Sequence, residues 1–295
     1  MSTVHILPAD RVPLTALVSA LNRAYSDYYY PIYVTPSSLH AMLARDDIAP
    51  ANCAVALEDD EVVGMGLLGM RGTAGWIGGM GVVPHRRQRG IGGRLLRTLI
   101  ANARALSIQT LRLEVIEENQ HAHALYQQHG FRDVRFLHML ERPLLPPPPP
   151  PERCGIIITP ETPQTLLSYY ADFHDVRNCW QRDLPSLERL AFHSQGRALY
   201  DIEKASDGEK PDTPIGYVLG QFTPHSVLTF DMAVPPTNRR RHTHAQVLLM
   251  HIHHHYPHAL GHAYNVAEDD HAIHAYRDLG YQTHLRQIEM ELALS

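Results

Sequence analysis

The strongest constraint on this chain is that part of it is written twice. Val82-Val-Pro84-His-Arg-Arg-Gln-Arg-Gly90-Ile-Gly92 is echoed by Val234-Pro-Pro236-Thr-Asn-Arg-Arg-Arg-His242-Thr-His244. Further on, Ala122-His-Ala-Leu-Tyr126 to Gly130-Phe131 is echoed by Ala272-Ile-His-Ala-Tyr276 to Gly280-Tyr281. Both echoes are displaced by about 150 residues, which implies one structural unit built twice. The opening helices recur loosely at residues 164–173 and 185–192. Between the halves, Pro143-Leu-Leu is followed by six consecutive prolines. Such a run has no N–H to give to a helix or sheet and favours an extended rod, so it reads as a spacer rather than a docking site. The expected domains are 1–142 and 153–295, joined by a proline-rich linker at 143–152. A length of 295 residues suits two domains better than one core.

The first half reads in order. Val4 to Ile6 is a short opening strand, Leu14 to Tyr25 a helix, and Pro36 to Arg45 a second helix with Thr35 as its N-cap. Five tyrosines fall between Tyr25 and Tyr33, and their rings suit either packing the two helices together or lining a substrate cleft. Asn52 to Leu57 and Val62 to Met70 alternate as strands around an acidic turn, and Gly75 to Val83 completes an antiparallel meander. Gly78, Gly79 and Gly81 mark that third strand for a bulge or for close approach of a ligand to the backbone. Arg94 to Leu106 then places Leu95, Leu96, Leu99, Ile100, Ala103 and Leu106 on one helical face. Thr110 to Ile116 alternates as a strand, and the strand–helix–strand order makes it parallel to its predecessor. Gln120 to His129 is a helix stopped by Gly130, and Phe131 to Glu141 is a closing strand.

The turn that opens the central helix is rich in glycine and arginine. Unpaired N–H groups of a first helical turn, the positive end of the helix dipole and side-chain-free glycines together make an anion cradle. Arg86, Arg87, Arg89, Arg94 and Arg97 add charge beside it, so a phosphate or pyrophosphate is the expected ligand. In the echo, His242 and His244 stand against Gly90 and Gly92, and the second copy is expected to be defective in phosphate binding. A dinucleotide-binding glycine turn would follow the first strand of its unit, whereas here several meandering strands come first.

Composition excludes several classes. Residues 1–142 carry 14 arginines against 13 acids and the remainder 12 basic against 18 acidic residues, so neither half has the balance of a general nucleic-acid binder. No apolar run is long enough to span a membrane, and the first ten residues lack a signal-peptide pattern. Cys53, Cys154 and Cys179 are odd in number and widely spaced, which suggests reduced thiols in a soluble, cytoplasmic protein. His251, His253, His254, His255, His258 and His262 lack companion cysteines or placed carboxylates, and read as solvent-exposed side chains with no metal expected.

With the repeat assembled, each half resembles a GCN5-related N-acetyltransferase (GNAT) domain, and the whole resembles a tandem pair. The motif Gln/Arg-x-x-Gly-x-Gly/Ala stands as Arg87-Gln-Arg-Gly90-Ile-Gly92, supported by Val82-x-Pro84, Leu113-Glu-Val115, Asn119, Leu125-Tyr126 and Gly130-Phe131. The resemblance implies an α+β fold, mixed α/β, in which each domain is a mostly antiparallel sheet flanked by helices with a splayed central parallel pair. It implies acetyl-CoA as co-substrate, its pantetheine arm on the backbone of Gly81, Val82 and Val83. The pyrophosphate would rest on the amides of Gln88, Arg89, Gly90, Ile91, Gly92 and Gly93 beside Arg87, and Asn119 would bind coenzyme A, cap the following helix, or both.

The chemistry implied is direct transfer of acetyl from thioester to amine. Tyr126 occupies the position where the family commonly keeps a tyrosine that gives the departing thiolate a proton or a hydrogen bond, and Glu114 either activates the amine through a water or pairs with an arginine. The first domain is expected to be catalytic and the second a degenerate copy, in a monomer or homodimer. The competing expectation is a non-catalytic acyl-CoA-binding or scaffold protein. The acceptor, a small molecule or peptide amine, is not legible.

Overall fold

The computed structural model describes residues 3–146, 149, 155–204 and 211–294. Cys154 and most of the proline run lie outside them. The chain divides into two compact units, Met1–Val134 with Ile288–Ser295, and Arg135–Gln287.

The first unit runs β1 (His5–Pro8), α1 (Leu14–Ala24), α2 (Pro36–Arg45), β2 (Ala54–Glu58), β3 (Glu61–Arg71), β4 (Ala74–Val82), α3 (Ile91–Ala105), β5 (Thr110–Ile116) and α4 (Gln120–Gln128). Thr35 caps α2 in a full capping box with Ser38. Asp59 and Asp60, both at positive φ, close the β2–β3 hairpin with the twist that suits two antiparallel strands. The strands lie in sequence order from β1 to β5, all antiparallel except β4–β5. Leu95, Leu96, Leu99, Ile100 and Ala103 of α3 are buried as the periodicity requires, and each large apolar side chain so buried is worth about 1.5–3 kcal/mol. The helix begins three residues before the expected Arg94, because Ile91 is buried and Gly92 and Gly93 continue the helical turn.

Strand β4 opens a gap in the sheet. Its register against β3 shifts between Ile77 and Gly79, which leaves Gly78 as a bulge. Its parallel pairing with β5 runs only from Ala74–Thr110 to Ile77–Leu113. The two strands therefore part where the bulge begins. On one face of this sheet α3 packs onto Gly64 and Gly66, and on the other α1 presses so closely that a Cβ on Gly81 would lie 2.9 Å from the Ala24 Cβ.

The second unit repeats the order: β6 (Arg132–Arg142), β7 (Ile156–Glu161), α5 (Pro163–Leu167), α6 (Tyr170–Phe173), α7 (Leu184–Leu190), β8 (Gln195–Asp201), β9 (Gly216–Phe222), β10 (Ser226–Ala233), α8 (Arg241–His255), β11 (Leu260–Ala267), α9 (Ala272–Asp278) and β12 (Gln282–Ala293). Its strands lie in the order β6-β11-β10-β9-β8-β7. Here too the parallel pair β10–β11 ends after four residues, at Thr229–Ala263, and Phe230 is the bulge. The end of β12 belongs to the first unit, where Arg112 pairs with Glu291 at 2.9 Å and the Leu294 N–H donates to Gln109 O.

The histidine-rich helix corrects one expectation. His254, His255 and His258 are exposed, but His251 and His253 are buried in α8. The His253 Nε2 and the Tyr281 hydroxyl share a hydrogen bond of 2.8 Å inside the apolar core. Counting histidine as a surface residue hid this, since its ring packs like an aromatic once one nitrogen has a partner. No described helix is long and apolar enough to cross a membrane, and no group of three His, Cys, Asp or Glu side chains among the described residues could hold a metal.

Candidate active site

Where β4 and β5 part, the first unit holds a cavity of about 670 Å³. Its walls are the end of α1 with the tyrosine loop, the end of β4, the turn into α3 and one side of α4 from His121 to Gln128. Of the residues expected at a cofactor site, Gly81, Val82, Arg87, Gln88, Gly90, Ile91, Gly92, Gly93, Asn119 and Tyr126 line it; Val83, Arg89 and Glu114 do not.

The turn into α3 leaves the helix start without a side-chain cap. Gln88 (φ 62°) and Gly90 (φ 74°) both take the left-handed conformation, and Gly90 is the N-cap of α3 without any side-chain cap. The first-turn amides thus keep their donors for a ligand. Nothing lies within 4 Å of where a Gly90 Cβ would be, so its glycine answers to the backbone angle and not to crowding. The arginines divide sharply. Arg86 is bound to Glu58, Arg94 donates to Val4 O at 2.9 Å, and Arg87 is bound to Asp27. Among the described residues Arg89 and Arg97 are exposed and make no ion pair.

Strand register decides which backbone groups face the cavity. The Val83 N–H donates to Val63 O, and Val83 is fully buried. By the alternation of a strand, Gly81 turns the same way, toward β3, while Met80 and Val82 turn toward the cavity. Their carbonyls agree with that parity: Met80 O accepts from the Tyr25 hydroxyl at 3.3 Å, and Val82 O from Arg87 Nε at 3.0 Å. Met80 is therefore a wall residue that the motif did not indicate. Counting back by twos from a committed Val83 would have found it, but that commitment is invisible without β3.

The tyrosine loop lines the cleft and also packs. Tyr28 meets Tyr25 edge-on at 4.7 Å and Tyr29 at 5.4 Å, while Tyr33 is exposed. Burial and the nearby Tyr30 push the Tyr25 hydroxyl up to about 12. Tyr126, on α4, is buried edge-on against Phe131, and burial followed by the field of Tyr25 raises its hydroxyl well above the usual tyrosine range. At neutral pH it carries its proton. Asn119 caps α4, its side chain accepting from the Ala122 N–H, and it lines the cavity. Glu114 is the first residue of β5 past the last paired position, and its carboxylate accepts from the buried Trp76 indole at 2.8 Å. Arg112 is engaged by Glu291 instead.

The second unit realigns the repeat. Arg87 donates to Val82 O, Ala24 O and both carboxylate oxygens of Asp27. Arg241 reproduces the set on Val234 O, Phe173 O and both oxygens of Asp175. Arg87 thus corresponds to Arg241, not to Arg239 as the matched prolines suggested. In the first unit Gln88, Arg89 and Gly90 separate this arginine from the helix, whereas Arg241 is itself the first residue of α8. The second copy therefore lacks the cradle loop altogether. Its parted strands are bridged by Arg182, which donates to Tyr264 O on β11 at 3.2 Å and faces Asp231 on β10 at 3.6 Å. Asp231 stands two positions past the last paired residue, as Gly79 does in the first unit, and is fully buried with His174 and Tyr217 as partners.

Residues 17–131 match the model of the acetyltransferase (GNAT) family. No protein of curated function matches the sequence. Among solved structures, the chain is similar to a tandem GNAT protein from the clavulanic acid biosynthesis pathway, with TM-score 0.67 and 17% identity over 99% of this chain and 98% of that one. It is similar to a GCN5-related N-acetyltransferase from Sphaerobacter thermophilus, with TM-score 0.72 and 17% identity over 98% and 95%. A third, from Kribbella flavida, gives TM-score 0.61 and 13% identity over 99% and 71%. The first unit is thus a domain of the GNAT family, and the whole chain has the fold of a tandem GNAT protein. That family comprises acyl-CoA-dependent acetyltransferases that act on amines.

Proposed function

We propose that this protein is an acetyl-CoA-dependent N-acetyltransferase whose chemistry is confined to the first unit. The observation that carries the reading is one cavity lined by both an uncapped helix N-terminus and Tyr126. The amides from Gln88 to Gly93, with Arg89 and Arg97 close by, would hold the pyrophosphate, and the inward N–H groups of Met80 and Val82 the pantetheine amides.

In the reaction an amine nitrogen attacks the thioester carbonyl carbon, an N–C bond forms and the C–S bond breaks. The proton lost by the amine ends on the coenzyme A sulfur, so no other reactant is consumed. Holding amine and thioester together supplies much of the rate, up to roughly 7–11 kcal/mol in well-aligned systems. Tyr126 donates a hydrogen bond to the departing thiolate. Its raised pKa favours that donation over full proton release and argues against Tyr126 as the base. Glu114, held by Trp76 beside the point where the strands part, is the proposed acceptor of the amine proton through water.

The test is calorimetric binding of acetyl-CoA followed by thiol release with a panel of amines. Tyr126→Phe is expected to lower kcat roughly 100-fold with KM for acetyl-CoA little changed. The corresponding Tyr276→Phe should leave kcat unaltered. Saturable coenzyme A binding without thiol release from any amine would favour a binding protein instead.

A further inference from the structure

The signature arginine of the motif does something other than hold phosphate. Its guanidinium makes four hydrogen bonds, at 3.0 Å to Val82 O, 2.8 Å to Ala24 O and 2.7 Å to each oxygen of Asp27. Every bond ties the end of β4 to the end of α1 and the loop after it, and none points to the amides of α3. The second unit is a natural control. Arg241 keeps the corresponding bonds, at 2.8 Å to Val234 O and 2.7 Å to each oxygen of Asp175, in a copy that has no cradle loop. A contact retained where the glycine turn is missing serves the fold.

Building on the acetyl-CoA reading of the cavity, we infer that Arg87 and Asp27 form a latch, in which Arg87 is a positioning residue rather than a phosphate ligand. The latch fixes the tyrosine loop against β4, so that Tyr25 and the Val82 backbone meet the pantetheine arm at a set distance. A bidentate carboxylate–guanidinium pair is suited to this, because its two parallel bonds specify orientation as well as proximity. The Arg87 charge is already balanced by Asp27, whose carboxyl is held below the usual range chiefly by its hydrogen bond to Arg87. Arg241 does the same to Asp175. The charge that meets phosphate then comes from Arg89 and Arg97.

The two roles give opposite signs in one experiment. Dissociation constants for coenzyme A and for pantetheine, which lacks the phosphates, are measured by calorimetry on the full chain carrying Asp27→Asn, Arg87→Gln, Arg87→Lys and the double variant Asp27→Asn/Arg87→Gln. A latch predicts that each single change weakens both ligands by the same factor, roughly 3- to 10-fold, and that the double variant is no worse than either. Arg87→Lys should not rescue, since lysine keeps the charge but loses the fork. The inference is overturned if Asp27→Asn tightens coenzyme A, if Arg87→Gln weakens coenzyme A but not pantetheine, or if Arg87→Lys binds as the wild type does. If the wild type binds neither ligand, the acetyl-CoA reading fails and the latch is judged on melting temperature. A non-additive loss in the double variant then upholds it and an additive loss overturns it.

Discussion

Each unit has its own bulged strand, parted parallel pair and latch, and the two differ in what occupies the gap between the parted strands. In the first unit the gap is open, Gly79 stands near its apex and a three-residue loop separates the latch arginine from the helix. In the second, Asp231 stands where Gly79 does, Arg182 bridges the strands and the loop is gone. Parting two strands leaves polar backbone groups without partners, and such groups must be satisfied by something. One copy leaves those groups facing a cavity, while the other bridges its strands with its own arginine. The difference shows which parts of the pattern serve the fold and which serve the chemistry.

The comparison breaks most directly at Asp231. Asp231→Leu would leave Arg182 and His174 buried without their carboxylate, and about 3–5 kcal/mol of stability should be lost from the second unit. Chemical denaturation with a probe in each unit checks this, and coenzyme A binding to the first unit should persist. An unchanged second transition would mean that the ion network is not what holds the gap closed.

Acid sharpens the contrast. Burial, then the charge of Arg142, lowers His253 to about 4, and burial lowers His271 to about 4 as well. A folded pKa below the unfolded value of about 6.5 means that the unfolded chain binds more protons between the two values. Stability is therefore lost as pH falls from about 6.5 to about 4, by up to about 3 kcal/mol for each such histidine. The first unit buries no histidine among its described residues, so its transition should be the less acid-sensitive one. His253→Leu should flatten the slope of the second unit.

The smallest effect is expected at the cradle. Gly90→Ala imposes a side chain on φ 74°, worth about 1–2 kcal/mol, and should raise the dissociation constant for coenzyme A roughly tenfold. Arg240, the N-cap of α8, has φ −105°, so Arg240→Ala should change nothing measurable in ligand binding. Equal effects at the two positions would dissolve the distinction between the copies.

Much of the fold could be read from the chain before any contact was known. Periodicity gave α3 and its buried face, alternation gave β5 residue for residue, and Gly130 stopped α4 at positive φ. The repeat was visible because Tyr126 and Tyr276 occupy matching helices, each followed by a glycine turn and an aromatic residue. Its register through the turn was not. Matching Pro84 to Pro236 set Arg87 against Arg239, and only the hydrogen bonds of Arg241 corrected it.

Local periodicity, backbone angle and residue chemistry were enough to set the elements, their order and the place of the glycine-rich turn at the start of α3, so these stood in the chain itself. Which atoms are free to act was a matter for three dimensions. The five arginines beside the cradle are alike in sequence, yet three are spent on Glu58, Asp27 and Val4 O, partners 28, 60 and 90 residues away along the chain. The polar groups of Gly81 and Val83 turn away from the cavity because β3 claims them, and those of Met80 and Val82 face it. Which donors and charges remain for a ligand is set by long-range pairing, and long-range pairing leaves no mark in a local pattern.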